Sequence, residues 1–270
     1  MNKFFLLLFF IITDSFSADF NIKIYYEPIE NGFKIYADNL EYCPVSIRLT
    51  FTLQNMKIEG GNKKIYVIPE QKTKQLLTVI RKADKRKASK FSYKSRYNLG
   101  DHTITTYDHE FSYILPFEKS NSFKIAQGYN GAISHNKKNA LDFTMPIGTK
   151  ITAIRDGTVV KVVDSNSKSC KTVECKKYNN FVIVYHSDGT FAEYTHIKNK
   201  GSLVNIGDKI VKGQKLAFSG NVGFSTGPHL HLEVFLQKLE KRQTLRTKFK
   251  IESNRSAIYL SEKHEYVRNY

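Results

Sequence analysis

The sequence predicts an all-β protein: a small N-terminal antiparallel β-sandwich followed by a second antiparallel β domain. Three observations lead there. Short runs rich in β-branched and aromatic residues recur along the chain. Turn signals such as Asn31-Gly32, Gly60-Gly61 and Leu99-Gly100-Asp101 separate the early ones, and no long window repeats with the period of a helix.

Residues 20–25 and 46–53 alternate apolar and polar positions, as strands with one buried face do. Residues 65–68, 76–80, 91–97 and 103–107 are strand-like by composition more than by strict alternation, which completes a sandwich over 18–117. Residues 81–90 hold six basic residues and one acid and read as a solvated hairpin tip. Leu115-Pro116-Phe117-Glu118 closes this segment. The second domain, 118–245, carries most of the histidines and strand-like runs at 150–154, 157–163, 181–185, 191–194 and 215–218. A strand-like Lys248-Phe249-Lys250-Ile251 and a polar tail fill 246–270.

The chain of 270 residues is 41% hydrophobic, which excludes a disordered chain, and it has only 3 cysteines, which excludes a disulfide-dense miniprotein. Its charge is unusual: 42 basic against 25 acidic residues, a formal net of +17. At the N-terminus Met1-Asn2-Lys3 precedes an apolar run from Phe4 to Ile12, then Thr13-Asp14 and the small residues of Ser15-Phe16-Ser17. This is the pattern of a secretory signal over residues 1–17, cleaved after Ser17 or Ala18. Nine apolar residues are about half of what spans a bilayer, so no stable membrane span is expected in the mature form. The expected location is the periplasm or the extracellular, wall-associated space. Nucleic acid is not an expected partner of an exported chain without a recognition motif.

Export bears on the cysteines. Cys170 and Cys175 sit in a polar, Lys-rich stretch where a loop-closing disulfide suits an oxidising space. A metal knuckle would need a second Cys or His pair that the stretch lacks. Cys43 reads as a small buried residue.

Of the eight histidines, His229-Leu230-His231 is the informative pair. On a strand, residues two apart face one side, so both imidazoles enter one space while Leu230 enters a core. The preceding Gly220-to-Pro228 loop is Gly-rich, but no Gly-Lys-Ser/Thr follows it, so a phosphate loop is excluded. No His-Glu-x-x-His occurs either. A catalytic zinc takes three protein ligands and leaves one position open. The candidates that add to the pair are His135 and Asp142, the latter in an apolar frame where an acid needs a metal or hydrogen-bond partner.

In order and spacing, three segments resemble the LytM/lysostaphin-type zinc endopeptidases. They are Gln127-Gly128-Tyr129 through His135 and Asp142 to Pro146-Ile147-Gly148-Thr149; Val182-to-Gly189 with Tyr194-Thr195-His196; and Gly207-Asp208 through Ser225-Thr226-Gly227-Pro228-His229-Leu230-His231-Leu232-Glu233. The resemblance implies a LytM-like antiparallel β catalytic domain and one zinc ion per chain held by His135, Asp142 and His231. It implies that His196 and His229 are the non-ligand catalytic histidines, and that the substrates are the stem peptides and cross-bridges of peptidoglycan. His186 reads as structural, and His102, His109 and His264 have no evident partners. One departure stands out: many members hold three residues between the first His and the Asp, and here there are six. The basic charge fits attachment to anionic wall polymers. Two rivals remain. One is a noncatalytic wall-binding or amidase-activating protein on the same fold, which the five filled positions disfavour; the other is an enzyme acting on Gly-rich protein segments.

Overall fold

The computed structural model describes residues 20–59, 65–253 and 256–270. The expected signal segment and the Gly60-Gly61 turn lie outside them. Among the described residues the fold is nearly all β, with one short 3-10 turn at Val173–Tyr178. No helix among them is long and apolar enough to cross a membrane.

The first segment is a two-sheet sandwich. One sheet orders Ile22–Ile29, Gly32–Asn39, Lys72–Lys82 and Met56–Ile58; the other orders Ile65–Ile68, Val45–Gln54 and Lys90–Leu99. All pairings are antiparallel. Alternate residues from both sheets, among them Ile35, Ile47, Leu49, Ile68 and Ile80, form a fully buried core. The Asn31-Gly32 turn forms as expected: Asn31 takes φ 59°, a conformation Asn tolerates. Gly32 is needed for space, since a Cβ there would lie 2.1 Å from the Ile80 carbonyl oxygen.

Two local expectations are corrected. Residues 81–90 are solvated, but they join Lys72–Lys82 of one sheet to Lys90–Leu99 of the other and so form a crossover, not a hairpin. The Asn55 side chain holds this crossover, donating to the carbonyls of Asp84, Lys87 and Ala88. Residues 103–107 are not a strand. Asp101 Oδ1 accepts both the amide and the hydroxyl of Thr103, and this local turn competes with a ladder.

The second segment is dominated by a nine-stranded sheet. Its main path runs Lys209–Ile210, Gly157–Val163, Phe181–Tyr185, Phe191–Thr195, His229–Lys238, Ala140–Thr144, Ser122–Gln127 and Glu265–Val267; Lys241–Thr244 pairs back onto His229–Lys238. A three-stranded sheet of Lys150–Thr152, Lys215–Ser219 and Ile197–Ser202 packs against it. Phe143, Ile151, Val184, Tyr194, Leu216 and Leu230 fill the core between them. Tyr113, Leu115 and Phe117 also belong to this core. The polar tail is built in: Glu265–Val267 pairs with Ser122–Gln127, and the buried Arg268 donates to the Phe117 carbonyl.

The sandwich docks on the large sheet through Cys43 and Leu99 against Val160, Ile183, Phe191 and Phe235. Arg48 and Arg96 both reach Glu240, at 2.8 and 3.2 Å.

Candidate metal centre

The strand His229–Lys238 organises the site. Leu230, Leu232 and Val234 are buried in the core, so His229, His231 and Glu233 share the opposite face. His231 lies directly opposite Asp142 on one neighbouring strand and Thr195 on the other. His196 follows at the strand end, with φ 68° and its amide donating to the Asn180 carbonyl.

His135 comes from the loop between Ser122–Gln127 and Ala140–Thr144 and is fully buried. The unusual spacing to Asp142 is absorbed by a tight turn. The Lys138 amide donates to the His135 carbonyl at 2.8 Å, with Lys137 at φ 58°. Residues 136–138 are thereby looped out, and Asn139-Ala140-Leu141 lead directly into Asp142.

Three donor atoms converge. His231 Nδ1 is 2.9 Å from Asp142 Oδ1, His135 Nε2 is 3.2 Å from the same oxygen, and the two nitrogens are 3.2 Å apart. Ligands of a tetrahedral zinc with bonds of ~2.0–2.1 Å are ~3.3 Å apart, so the set fits such an ion with little movement. The donor chemistry fits as well. His135 Nδ1 lies 2.8 Å from the Gly128 carbonyl and donates to it, which leaves Nε2 with its lone pair facing the site. Burial disfavours the Asp142 carboxylate, but the adjoining His135 and His231 outweigh it and hold the carboxyl far below its ordinary range. Burial likewise opposes charge on His231, yet Asp142 raises its pKa.

His196 and His229 stand beside this triplet with ring centroids 4.6 Å apart. Each directs Nδ1 at a carbonyl: His196 at Val222, 2.7 Å, and His229 at Gly227, 2.8 Å. Nδ1–H donation leaves both Nε2 atoms as acceptors in the neutral ring. His229 Nε2 is 3.9 Å from Asp142 Oδ1. Burial, reinforced by the neighbouring His229 and His231, pushes the His196 pKa down to about 3. The structure therefore brings together all five residues singled out from the sequence. His186 is fully buried elsewhere, and His102 contacts Ser46 in the sandwich.

Supporting residues went unassigned in the sequence. Gln127 donates to Asp142 Oδ2 at 3.0 Å and to Ser134 Oγ at 2.7 Å, while its carbonyl accepts the amides of Ile133 and Ser134. One amide side chain thus ties the His135 loop to the Asp142 strand. Its place in the Gln127-Gly128-Tyr129 motif was the only signal. Glu193 and Glu233, cross-strand neighbours, share Arg242 at 2.6 and 3.4 Å. The disulfide Cys170–Cys175 is formed, and its loop holds the segment that orients the catalytic candidates. The Ser225 amide donates to the Cys170 carbonyl, and the Phe224 amide donates to Asn179 Oδ1. Gly223 is required beneath it, since a Cβ would lie 2.0 Å from Asn179 Oδ1. Asp142, His196, His229 and His231 line a groove of about 990 Å³, with His135 buried behind them.

Residues 136–243 match the model of peptidase family M23, a stretch that holds Asp142, His196, His229 and His231 and begins one residue after His135. Over 106 residues the chain is 40% identical to an uncharacterized metalloprotease of Buchnera aphidicola, covering 38% of this chain and 25% of the relative. It is 35% identical over 99 residues to the peptidoglycan DD-endopeptidase ShyA of Vibrio cholerae, covering 37% and 20%. It is 30% identical over 117 residues to the glycyl-glycine endopeptidase ALE-1 of Staphylococcus capitis, covering 42% and 29%. The chain thus matches between a fifth and three-tenths of the length of these relatives. The similarity to peptidase family M23 thus lies in residues 136–243, about two-fifths of the chain.

Proposed function

We propose that this protein is an exported zinc-dependent endopeptidase that hydrolyses peptide cross-bridges of bacterial peptidoglycan. The observation that carries the reading is the convergence of His135, Asp142 and His231, with Asp142 and His231 lining an open groove beside the imidazoles of His196 and His229. Relatives described as peptidoglycan DD-endopeptidase and glycyl-glycine endopeptidase support the substrate class.

In this reading His135, Asp142 and His231 hold one zinc per chain. When bound, zinc would polarise a scissile carbonyl and make water acidic enough to attack near neutral pH. The chain's own residues do the rest. Gln127 fixes Asp142 Oδ2 and leaves Oδ1 for the ion. His196 and His229, held by the Val222 and Gly227 carbonyls, each present Nε2 as a proton acceptor. The protonated ring then returns the proton to the leaving amine or hydrogen-bonds the developing oxyanion.

Residues 1–17 would be removed on export. The segment 18–117 would carry the accessory sandwich, with Tyr113, Leu115 and Phe117 already packed into the core of the peptidase domain, 118–245, and 246–270 at its edge. No described residue of 20–117 lines the groove, which supports a role for the sandwich outside the chemistry. The +17 charge holds the enzyme on anionic wall polymers, and that attachment weakens as salt screens it.

The test is digestion of purified peptidoglycan with and without a chelator, alongside metal analysis. One zinc per chain and chelator-sensitive release of uncross-linked peptides support the reading. A metal-free protein, or digestion indifferent to the chelator, overturns it.

A further inference from the structure

The groove has an uneven distribution of charge. Its charged lining consists of Asp142, Glu193, Glu233 and Arg242 on the sheet side, and Lys137, Lys138 and Lys176 on the loops. Asp142 is committed to the donor triplet, and Arg242 pairs with both glutamates. Among the described residues none of the three lysines forms an ion pair. Lys137 and Lys138 are exposed at the groove wall, whereas Lys176 Nζ lies over the Phe224 ring, 5.7 Å from its centroid.

Their placement follows from the sheet order. Lys137 and Lys138 lie on the loop before Ala140–Thr144, on one side of the His229–Lys238 strand. Lys176 lies in the Val173–Tyr178 turn before Phe181–Tyr185, on the other side. The metal centre sits between them. Lys137 and Lys138 belong to the three residues looped out between His135 and Asp142, where this chain departs from the shorter spacing. The turn adds two positive charges to the groove wall next to the site and leaves the donor triplet intact.

We infer that the 136–138 turn is a specificity element, in which Lys137 and Lys138 bind free carboxylates of the peptide beside the scissile bond. The inference rests on the peptidase reading above and narrows its substrate to carboxylate-bearing cross-linked peptides. An uncharged oligoglycine bridge offers these ammonium groups nothing, whereas a carboxylate gains a charge-assisted hydrogen bond at the groove wall.

The test pairs one variant with two substrates. Lys137→Asn keeps a residue that tolerates the positive φ, and Lys138→Gln removes the charge while keeping a long polar side chain. The probes are purified cross-linked muropeptide dimers in native form and after carbodiimide amidation of their carboxyls. For the native dimer the double variant is expected to raise KM about five-fold with kcat within about two-fold, as two solvent-facing ion pairs would. For the amidated dimer, which wild type should itself bind more weakly, the variant should change nothing. Equal effects on both substrates, or loss of bound zinc, would mean that the turn only supports the fold, and the inference fails. It also fails if the variant matches wild type on the native dimer. A wild-type enzyme that cleaves neither form overturns the peptidase reading itself.

Discussion

His231 and Asp142 face each other across neighbouring antiparallel strands, with Nδ1 and Oδ1 2.9 Å apart. That register pairs a basic and an acidic donor at one point, and Gln127, on the next strand out, braces the outer oxygen of the acid. The geometry of the site is thus written into the strand pairing, and a register slip of one residue would send these side chains into the opposite face.

Gln127 is the first residue to test. Gln127→Ala removes the only amide joining Asp142 to the 133–134 turn among the described residues. Zinc affinity is expected to fall roughly 10- to 100-fold, as for other residues that orient metal ligands. Titration of the apoprotein with zinc against a competing chelator measures this. An unchanged affinity would show that the loop and strand hold themselves in place.

The disulfide should matter to catalysis more than to metal binding. Its short loop stabilises the fold by roughly 2 kcal/mol through chain entropy. It also grips residues 223–225, whose neighbours Val222 and Gly227 supply the carbonyls that orient His196 and His229. Cys170→Ser with Cys175→Ser is expected to keep one zinc per chain, lower the melting temperature and reduce kcat several-fold. A variant that loses stability but keeps full kcat would separate the disulfide from the proposed roles of His196 and His229.

His186 makes stability depend on pH. Burial lowers its pKa to about 4 from 6.5, with its Nδ1 near the Asp156 carbonyl. Between those values the unfolded chain takes up the proton and the folded chain does not, so stability falls as pH drops from about 6.5 toward 4. The loss approaches roughly 3 kcal/mol at the low end. Urea unfolding of chelated wild type and His186→Gln across this range should show the steeper decline in wild type. Parallel slopes would contradict it.

Much of this site was readable from residue order because two of its parts are local. The His229-Leu230-His231 alternation places both imidazoles on one face of any strand, and Asp142 stood out as an acid among apolar neighbours. What was hidden depends on distant pairing. Nothing near Glu265–Val267 says that it completes a sheet beside Ser122–Gln127, or that Arg268 reaches the Phe117 carbonyl. The Glu193–Arg242–Glu233 network is equally nonlocal. At 81–90 a basic run looks the same whether it caps a hairpin or crosses between sheets. At 103–107 one side chain, Asp101, redirected a run of good strand formers.

The division between ligand and proton carrier is the centre of the account, and metal analysis of two single variants tests it. His231→Ala should lose both zinc and turnover. His229→Ala should keep one zinc per chain and lose kcat by about 10²- to 10⁴-fold, the range of a removed general base. Equal loss of metal from both variants, or zinc retained without His231, would contradict it.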